Sequence, residues 1–188
     1  MIGLGWRIHS TSAVVVAVRG PASSPEIVHR EEVVLVDDPS RQEPYHAAVG
    51  MPLDEARVFI TSMEETVASA AASVLSGLCS SLGSVTAVGV VGGNRRLPEL
   101  PRILESHARL HAADRDLYEQ AVIEGATRAG LSVTSVPATG RLFDQASQML
   151  GVDIEQVLSS LRASIGPPWQ REHKEATAAA LVALDAIS

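Results

Sequence analysis

The chain has 188 residues, of which 46% are hydrophobic and 20% are charged, and its net charge at pH 7 is −7. This composition is typical of a globular protein and excludes a fibrous or disordered chain, and the length predicts one domain over residues 1–188. The negative charge disfavours a surface that binds nucleic acid through bulk electrostatics, because neutralising phosphates requires clustered Lys and Arg. A basic groove confined to one part of the surface is still compatible with this net charge.

The first third of the chain predicts three strands joined by short turns. Ile2, Leu4 and Trp6 alternate with other residues, as in a half-buried strand, and "SAVVVAV" is a continuous β-branched strand. A third strand, "IVHREEVVLV", covers about 27–36 after a loop rich in Pro, Ser and Gly. Three strands with short connections indicate an antiparallel meander.

A long helix and a fourth strand follow. Asp54 is the expected N-cap of the helix. Apolar residues recur from Ile60 to Leu78 at helical spacing, which predicts one buried face. The helix is expected to end near 82–83, and "VTAVGVV" is the fourth strand.

The second half of the chain alternates helices with one strand and then becomes helical. A helical region covers "LPELPRILESHARL" and "DRDLYEQAVIEGATRAG", with Gly130 placed to end it, and "LSVTSV" is the fifth strand. Helices then cover about 142–150, 154–163 and 172–186, so the part from about 140 to 188 is helical. The order β-β-β-α-β-α-β-α predicts an α/β fold with a five-stranded mixed sheet and helices on its faces.

This order of elements resembles the ribonuclease H-like superfamily, over about residues 1–186. That superfamily includes RuvC-type junction resolvases, YqgF-type proteins, transposases and, in duplicated form, the actin-like ATPases. The resemblance implies that nuclease members hold two magnesium ions, which generate the attacking hydroxide and stabilise the leaving oxygen. In the family, the acidic ligands lie mid-way along the first strand, at the end of the fourth strand and at the start of the last helix.

The chain departs from that acidic pattern. The first strand has no Asp or Glu between Ile2 and Ile8, and "VVGGNRRL" at the end of the fourth strand also lacks an acid. The last helix offers Glu172, His173 and Glu175 in "REHKEA". Because Mg²⁺ requires several hard oxygen ligands, the sequence predicts a degenerate metal site.

The stretch "VGVVGGNRRLPEL" is similar to the glycine-rich strand-to-helix turn of actin-like ATPases. The opening of the chain resembles their first phosphate loop, with Gly5 where the aspartate belongs. This resemblance implies nucleotide binding by Gly92, Gly93, Asn94 and Arg95, because glycines let the backbone approach a phosphate. The alternative is a tight turn without a ligand, since those ATPases close two such domains on the nucleotide.

The segment "ESHARLHAADRDLYE" contains a candidate transition-metal site. If the segment is helical, His107 and His111 share one face and Asp114 follows one turn later. Two imidazoles and a carboxylate are a ligand set for zinc or another transition metal. The alternative is that Asp114 begins the next helix as its N-cap and that the histidines pack or cap.

Around this segment and "GPPWQREHKEATAAALVAL", the chain also resembles a set of bacterial proteins with a ribonuclease H-like fold. The resemblance singles out Asp114, Trp169, His173 and Lys174 and implies no activity. Trp169 follows two prolines and is expected to hold the last helix against the sheet. The alternative is a stacking platform for a nucleic-acid base.

Three functions follow from these patterns, and they leave open whether the chain is an enzyme. The missing acids favour a non-catalytic module, without a cofactor, that binds nucleic acid or protein. The second function is a metal-dependent, resolvase-like nuclease with a relocated site and Mg²⁺ or Mn²⁺, with these candidate catalytic residues: Asp114, Asp116, Glu172, His173 and Glu175. The third is a nucleotide-binding, actin-like half domain that acts as a dimer.

The remaining expectations concern location and assembly. The single cysteine, Cys79, allows no disulfide within the chain, which is consistent with a reducing compartment. The N-terminal apolar run is too short for a membrane span and lacks a signal-peptide layout, so we expect a cytoplasmic protein without a membrane partner. Lys174 is the only lysine, which favours a GC-rich bacterial source, and the small residues in "ASAAASVLSG" make a homodimer plausible.

Overall fold

The computed structural model describes residues 1–9 and 12–188, so the turn expected between the first two strands, at Ser10 and Thr11, lies outside the described residues. The strands are β1 (Ile2–Ile8), β2 (Ser12–Arg19), β3 (Glu26–Val34), β4 (Val85–Val91) and β5 (Ser132–Val136). The α-helices are α1 (Pro44–Ala47), α2 (Leu53–Leu82), α3 (Leu100–Leu104), α4 (His107–Arg128), α5 (Leu142–Leu150), α6 (Ile154–Ile165) and α7 (Arg171–Asp185).

The five strands form one mixed sheet in the order β3-β2-β1-β4-β5. β1 pairs antiparallel with β2, and β2 pairs antiparallel with β3. β1 pairs parallel with β4, and β4 pairs parallel with β5. Trp6 at the centre of β1 is opposite Val15 on β2 and Val90 on β4. The predicted α/β fold class and five-stranded mixed sheet are confirmed.

Each face of the sheet is covered by a different set of helices. The face that packs against α2 and α4 contributes these fully or nearly fully buried strand residues: Leu4, Trp6, Ile8, Val15, Val88 and Val90. The opposite face packs against α5, α6 and α7 through Val14, Val16, Val18 and Val91. Because side chains alternate along a strand, neighbouring residues of β1 face different helical layers.

α7 approaches the sheet so closely that the strands beneath it require glycine. A Cβ atom on Gly5 of β1 would overlap the carbonyl oxygen of Ala176, and a Cβ on Gly89 of β4 would overlap that of Ala179. The helix presents alanines at this contact. Small residues on both sides therefore bring the helix backbone against the strand backbones.

α2 begins two residues earlier than an N-cap at Asp54 would place it. Its N-cap is Pro52, so the expectation that Asp54 caps the helix is wrong. Asp54 and Glu55 lie in the first turn instead, where carboxylates interact favourably with the helix dipole.

By length and composition alone, α2 could cross a membrane. In this structure its buried apolar residues, from Ala56 to Leu78, form one face that packs in the core with the sheet and α4, whereas Val58 is exposed. Its outer face exposes serines such as Ser69, Ser73 and Ser76. This distribution is that of a core helix with one solvated face.

α4 is one continuous helix through residue 114, with Ser106 at its N-cap position. The alternative that Asp114 begins a new helix is therefore wrong. The segment from His107 to Tyr118 contains no glycine or proline to interrupt it. Asp114 is instead buried within the helix, where its side chain needs polar partners.

Two contacts attach the start of α7 to its surroundings. The indole Nε1 of Trp169 donates to the carbonyl of Leu158 on α6 at 3.1 Å, and its ring packs with the core beneath α7. Arg30 on β3 donates to the carbonyls of Ile165 at 2.9 Å and Pro167 at 3.1 Å. Trp169 therefore occupies the packing position expected of a clamp.

Candidate functional site

A cleft of about 320 Å³ lies where the end of β1 meets the start of α7. Polar side chains from both elements enter it, together with the loop that follows β5. Its lining includes Arg7, Thr139, Gly140, Arg171, Glu172 and Glu175. In the ribonuclease H-like nucleases that the chain resembles, the acids of the first strand and the last helix lie in this region.

Glu175 is the centre of the cleft's charge arrangement. Arg7 Nε donates to its Oε2 at 2.6 Å, and Arg171 Nε donates to its Oε1 at 2.7 Å. Glu175 is only 6% exposed. Both carboxylate oxygens are therefore engaged by guanidinium groups, which gives strong charge-assisted hydrogen bonds.

The family's two-metal arrangement does not fit these residues. Along the side of β1 that faces α7 lie Gly3, Gly5 and Arg7. No carboxylate side chain can replace Gly5, because even a Cβ would overlap the Ala176 carbonyl oxygen. Arg7 then places a fixed positive charge beside Glu175, where a magnesium site would need a second oxygen ligand.

The other two candidates on α7 have different surroundings. Glu172 is half-buried and lines the cleft. His173 is buried, and its Nδ1 accepts a hydrogen bond from the Gln170 backbone N–H at 3.4 Å, within a capping box. Burial, together with the positive charge of Arg30, lowers the pKa of His173. His173 therefore caps the N-terminus of α7.

The five candidate catalytic residues do not meet in one site. Asp114 and Asp116 belong to α4, which covers one face of the sheet. Glu172, His173 and Glu175 belong to α7, which covers the other face. The sheet lies between the two groups.

The glycine-rich turn after β4 closes on a buried carboxylate, Glu119 of α4. The Gly93 backbone N–H donates to Glu119 Oε2 at 2.6 Å, and Arg95 forms an ion pair with the same oxygen. A Cβ on Gly92, whose φ is +108°, would overlap the Glu119 carboxylate. Gly92 thus makes room for the Glu119 side chain, Gly93 supplies a backbone donor to it, and Asn94 is part of the same turn.

The sequence did not single out Glu119, although its position suited a buried helix face. The residue is fully buried. Burial raises its pKa, against the lowering effects of the Gly93 N–H and Arg95. Burial likewise raises the pKa of the neighbouring Asp116, against the charge of Arg95. Among the described residues, Glu119 Oε1 and Asp116 Oδ1 are buried without a hydrogen-bond partner.

The raised pKa of Glu119 predicts how stability changes with pH. A carboxyl whose pKa is higher in the folded state binds its proton more tightly there, so its contribution is present below the unfolded value and is lost as the pH rises through the folded value. We expect the wild-type free energy of unfolding to fall as the pH rises from the pKa of Glu119 in the unfolded state to its higher pKa in the folded state. In Glu119→Gln the fall should be shallower, with a residual part from Asp114 and Asp116.

Urea unfolding at a series of pH values measures this difference. Glu65→Gln, a change at an exposed position on α2, is the matched control and should follow the wild-type curve. Parallel curves for Glu119→Gln and the wild type would contradict the prediction.

A second polar cluster joins α1 to the start of α4. His46 Nε2 lies 3.4 Å from His107 Nδ1, and His107 Nε2 lies 3.1 Å from His111 Nε2. One nitrogen from each ring can be chosen so that all three lie within 4.8 Å of one another. His46 is partly buried, whereas His107 and His111 are exposed.

Asp114 supports this cluster from within the fold. Its Oδ2 lies 2.6 Å from His46 Nδ1, and its Oδ1 accepts the backbone N–H of Tyr45 at 2.7 Å. Burial raises the pKa of Asp114, whereas these two hydrogen bonds lower it. His107, His111 and Asp114 thus share one region, and the sequence analysis missed His46 because it lies in a separate short helix.

Comparison with known proteins yields structural matches only. No family model matches the sequence, and no curated protein sequence matches it. A structure of T. thermophilus RuvC in complex with a Holliday junction substrate aligns with a TM-score of 0.56 and 18% identity, covering 100% of this chain and 95% of that chain. A second Thermus thermophilus RuvC structure gives a TM-score of 0.57 and 16% identity with the same coverage.

The chain has the ribonuclease H-like fold of RuvC. The resemblance drawn from the order of elements is thereby confirmed. At this level of identity the match establishes the fold alone, because one fold supports many functions. The chemistry of this RuvC-like chain must therefore be argued from its own side chains.

Proposed function

We propose that this RuvC-like chain is a non-catalytic module that binds nucleic acid or a protein partner. One observation carries the proposal: Arg7 and Arg171 engage both oxygens of Glu175 in the cleft between β1 and α7. Both oxygens of this carboxylate are already engaged by guanidinium groups, so a divalent cation would have to compete with them. The two guanidinium charges also oppose a second positive ion at short range.

The packing of α7 supports the same proposal. A first-strand acid would need a side chain at the position of Gly5 or Arg7. At Gly5 the helix backbone fills the space, and at Arg7 the guanidinium already pairs with Glu175. A metal site of the family's type would therefore require α7 to move as well as a residue of β1 to change.

Nucleic acid is the partner to test first, because the similar RuvC was solved with a Holliday junction substrate. The net charge of −7 requires any such contact to be local. The arginines that line the cleft, Arg7 and Arg171, supply local positive charge beside Thr139 and Gly140. We infer that this module is a single domain of a bacterial cytoplasmic protein, and the small residues of α2 make a homodimer an arrangement to test.

The deciding experiment separates binding from cleavage. Four-way junction, single-stranded and RNA–DNA hybrid substrates are incubated with the protein in Mg²⁺ and then in Mn²⁺, and anisotropy and product formation are measured. We expect no cleavage with either metal. Binding without cleavage supports a nucleic-acid partner, whereas absence of binding to all three substrates assigns the module to a protein partner.

A nuclease is the second candidate function, favoured by the full-length structural match to RuvC and by Glu172 in the cleft. It predicts metal-dependent cleavage that Glu172→Ala abolishes. Exposed Glu65→Ala on α2 is the matched control and should leave cleavage unchanged. Such a result would overturn the non-catalytic proposal. Nucleotide binding has weaker support, since the Gly93 N–H already donates to Glu119.

A further inference from the structure

We propose that His46, His107 and His111 bind one zinc ion and that Asp114 orients His46 for this role. The site lies on the α1 and α4 side of the molecule. It is separate from the cleft at α7, so the proposal is independent of the proposed function.

The spacing of the imidazoles supports a shared ion. Two nitrogens bound to one tetrahedral zinc at roughly 2.0–2.1 Å lie about 3.3 Å apart. The observed separations are 3.4 Å between His46 Nε2 and His107 Nδ1 and 3.1 Å between His107 Nε2 and His111 Nε2. These two separations use different nitrogens of His107. With one nitrogen from each ring, all three lie within 4.8 Å of one another, so binding one ion requires the exposed ring of His107 to rotate.

The contact between His46 and Asp114 fixes which nitrogen of His46 is available. An ionised carboxylate only accepts hydrogen bonds, so when Asp114 is ionised, His46 Nδ1 carries the proton in the 2.6 Å contact with Asp114 Oδ2. In the neutral ring, Nε2 then presents its lone pair towards His107. A carboxylate behind a histidine in this manner is the usual outer support of a zinc ligand.

Asp114 is itself held in place. It is 2% exposed, and the Tyr45 backbone N–H donates to its second oxygen at 2.7 Å. The Asp114 carboxylate thus holds the backbone of α1 at Tyr45 and the ring of the following residue, His46. This buried support distinguishes the cluster from histidines that are neighbours only on a surface.

The donor set selects a transition metal. Three neutral imidazoles suit zinc, whereas Mg²⁺ and Ca²⁺ require oxygen ligands. The exposure of His107 and His111 leaves a further coordination position open to solvent. Glu43 lies beside this opening, with its Oε1 3.9 Å from His111 Nδ1.

The cluster also lies apart from the end of the parallel strands. Glu119 contacts the turn that follows β4, and His107 precedes Glu119 by twelve positions on the same helix. At 1.5 Å per residue, this spacing corresponds to about 18 Å along α4. A zinc ion bound by these three histidines would therefore link α1 to the N-terminal end of α4.

Titration of the full chain with zinc tests the proposal. The protein is treated with a chelator, dialysed and titrated with ZnCl₂ in a calorimeter. We expect about one equivalent to bind, and we expect His107→Ala and His111→Ala each to weaken binding by more than about 100-fold. Asp114→Asn should weaken it by roughly 10–100-fold, the range for a residue that supports a ligand.

Two further variants keep the test specific. His111→Cys retains a zinc ligand and should restore much of the affinity that His111→Ala loses. His29→Ala, on β3, removes a histidine outside the cluster and should bind zinc like the wild type. Circular dichroism of each variant without metal confirms that it is folded, which the exposure of His107 and His111 favours.

A cobalt titration gives a second readout. Co²⁺ in a site with tetrahedral nitrogen ligands should give visible absorption that His107→Ala and His111→Ala abolish. The proposal is overturned if the wild type binds zinc no more tightly than the double variant H107A/H111A. It is also overturned if His29→Ala weakens binding as much as His111→Ala does.

Discussion

Replacing Gly5 with alanine is expected to lower the free energy of unfolding by about 3 kcal/mol or more. The added Cβ would overlap the carbonyl oxygen of Ala176. That neighbour is helix backbone, which cannot move aside as a flexible side chain can. Either α7 shifts away from the sheet, losing the contacts of its buried alanines, or β1 bends. Urea unfolding followed by circular dichroism measures the loss.

Gly77→Ala is the matched control, because it makes the same chemical change where a Cβ meets no atom within 4 Å. Gly77 is exposed within α2. Alanine is the better helix former there, so this variant should gain about 0.5–1 kcal/mol. Equal effects of the two substitutions would show that α7 does not lie against β1 as described.

Replacing Glu175 with alanine is expected to cost about 2–3 kcal/mol, the second largest effect. The substitution leaves the Arg7 guanidinium, whose side chain is 17% exposed, without its partner carboxylate. Arg171 is 68% exposed and can return to water, so its share of the loss is small. The cost comes mainly from a half-buried charge that keeps only a hydrogen bond to the Ile8 carbonyl.

Glu172→Ala, three residues earlier on α7, is the control for this prediction. Within the described part of the chain Glu172 makes no hydrogen bond, and it contributes to the helix N-terminus as an acidic residue. Its replacement should cost less than about 1 kcal/mol. Thermal and urea unfolding of both variants give the comparison, and a loss at Glu172 as large as that at Glu175 would refute the role assigned to the ion pair.

The order of elements could be predicted from the sequence because it depends on local patterns. Alternating or β-branched residues marked β1 and β2, and helical spacing marked α2. The start of α2 was misplaced because acidic residues in a first turn resemble caps. The absence of an acid in β1 was also visible directly in the sequence.

The partners of the site residues could not be predicted in the same way. His46 and Asp114 lie 68 positions apart, and Arg7 and Glu175 lie 168 positions apart. Such pairs are set by how α1, α4 and α7 pack on the sheet, which local periodicity does not encode. The sequence left the glycine-rich turn after β4 open between a nucleotide loop and a tight turn, because the carboxylate that it contacts, Glu119, comes from the next long helix.

The close contact between α7 and the strands has an evolutionary consequence. A lineage that carries Gly5 beneath Ala176 cannot gain a first-strand acid there by one substitution, since the larger side chain would first disrupt the fold. Changing Arg7 alone would expose Glu175 without creating space at Gly5. Each single substitution towards an acid on this strand is therefore penalised, and the packing of α7 favours retention of the present cleft.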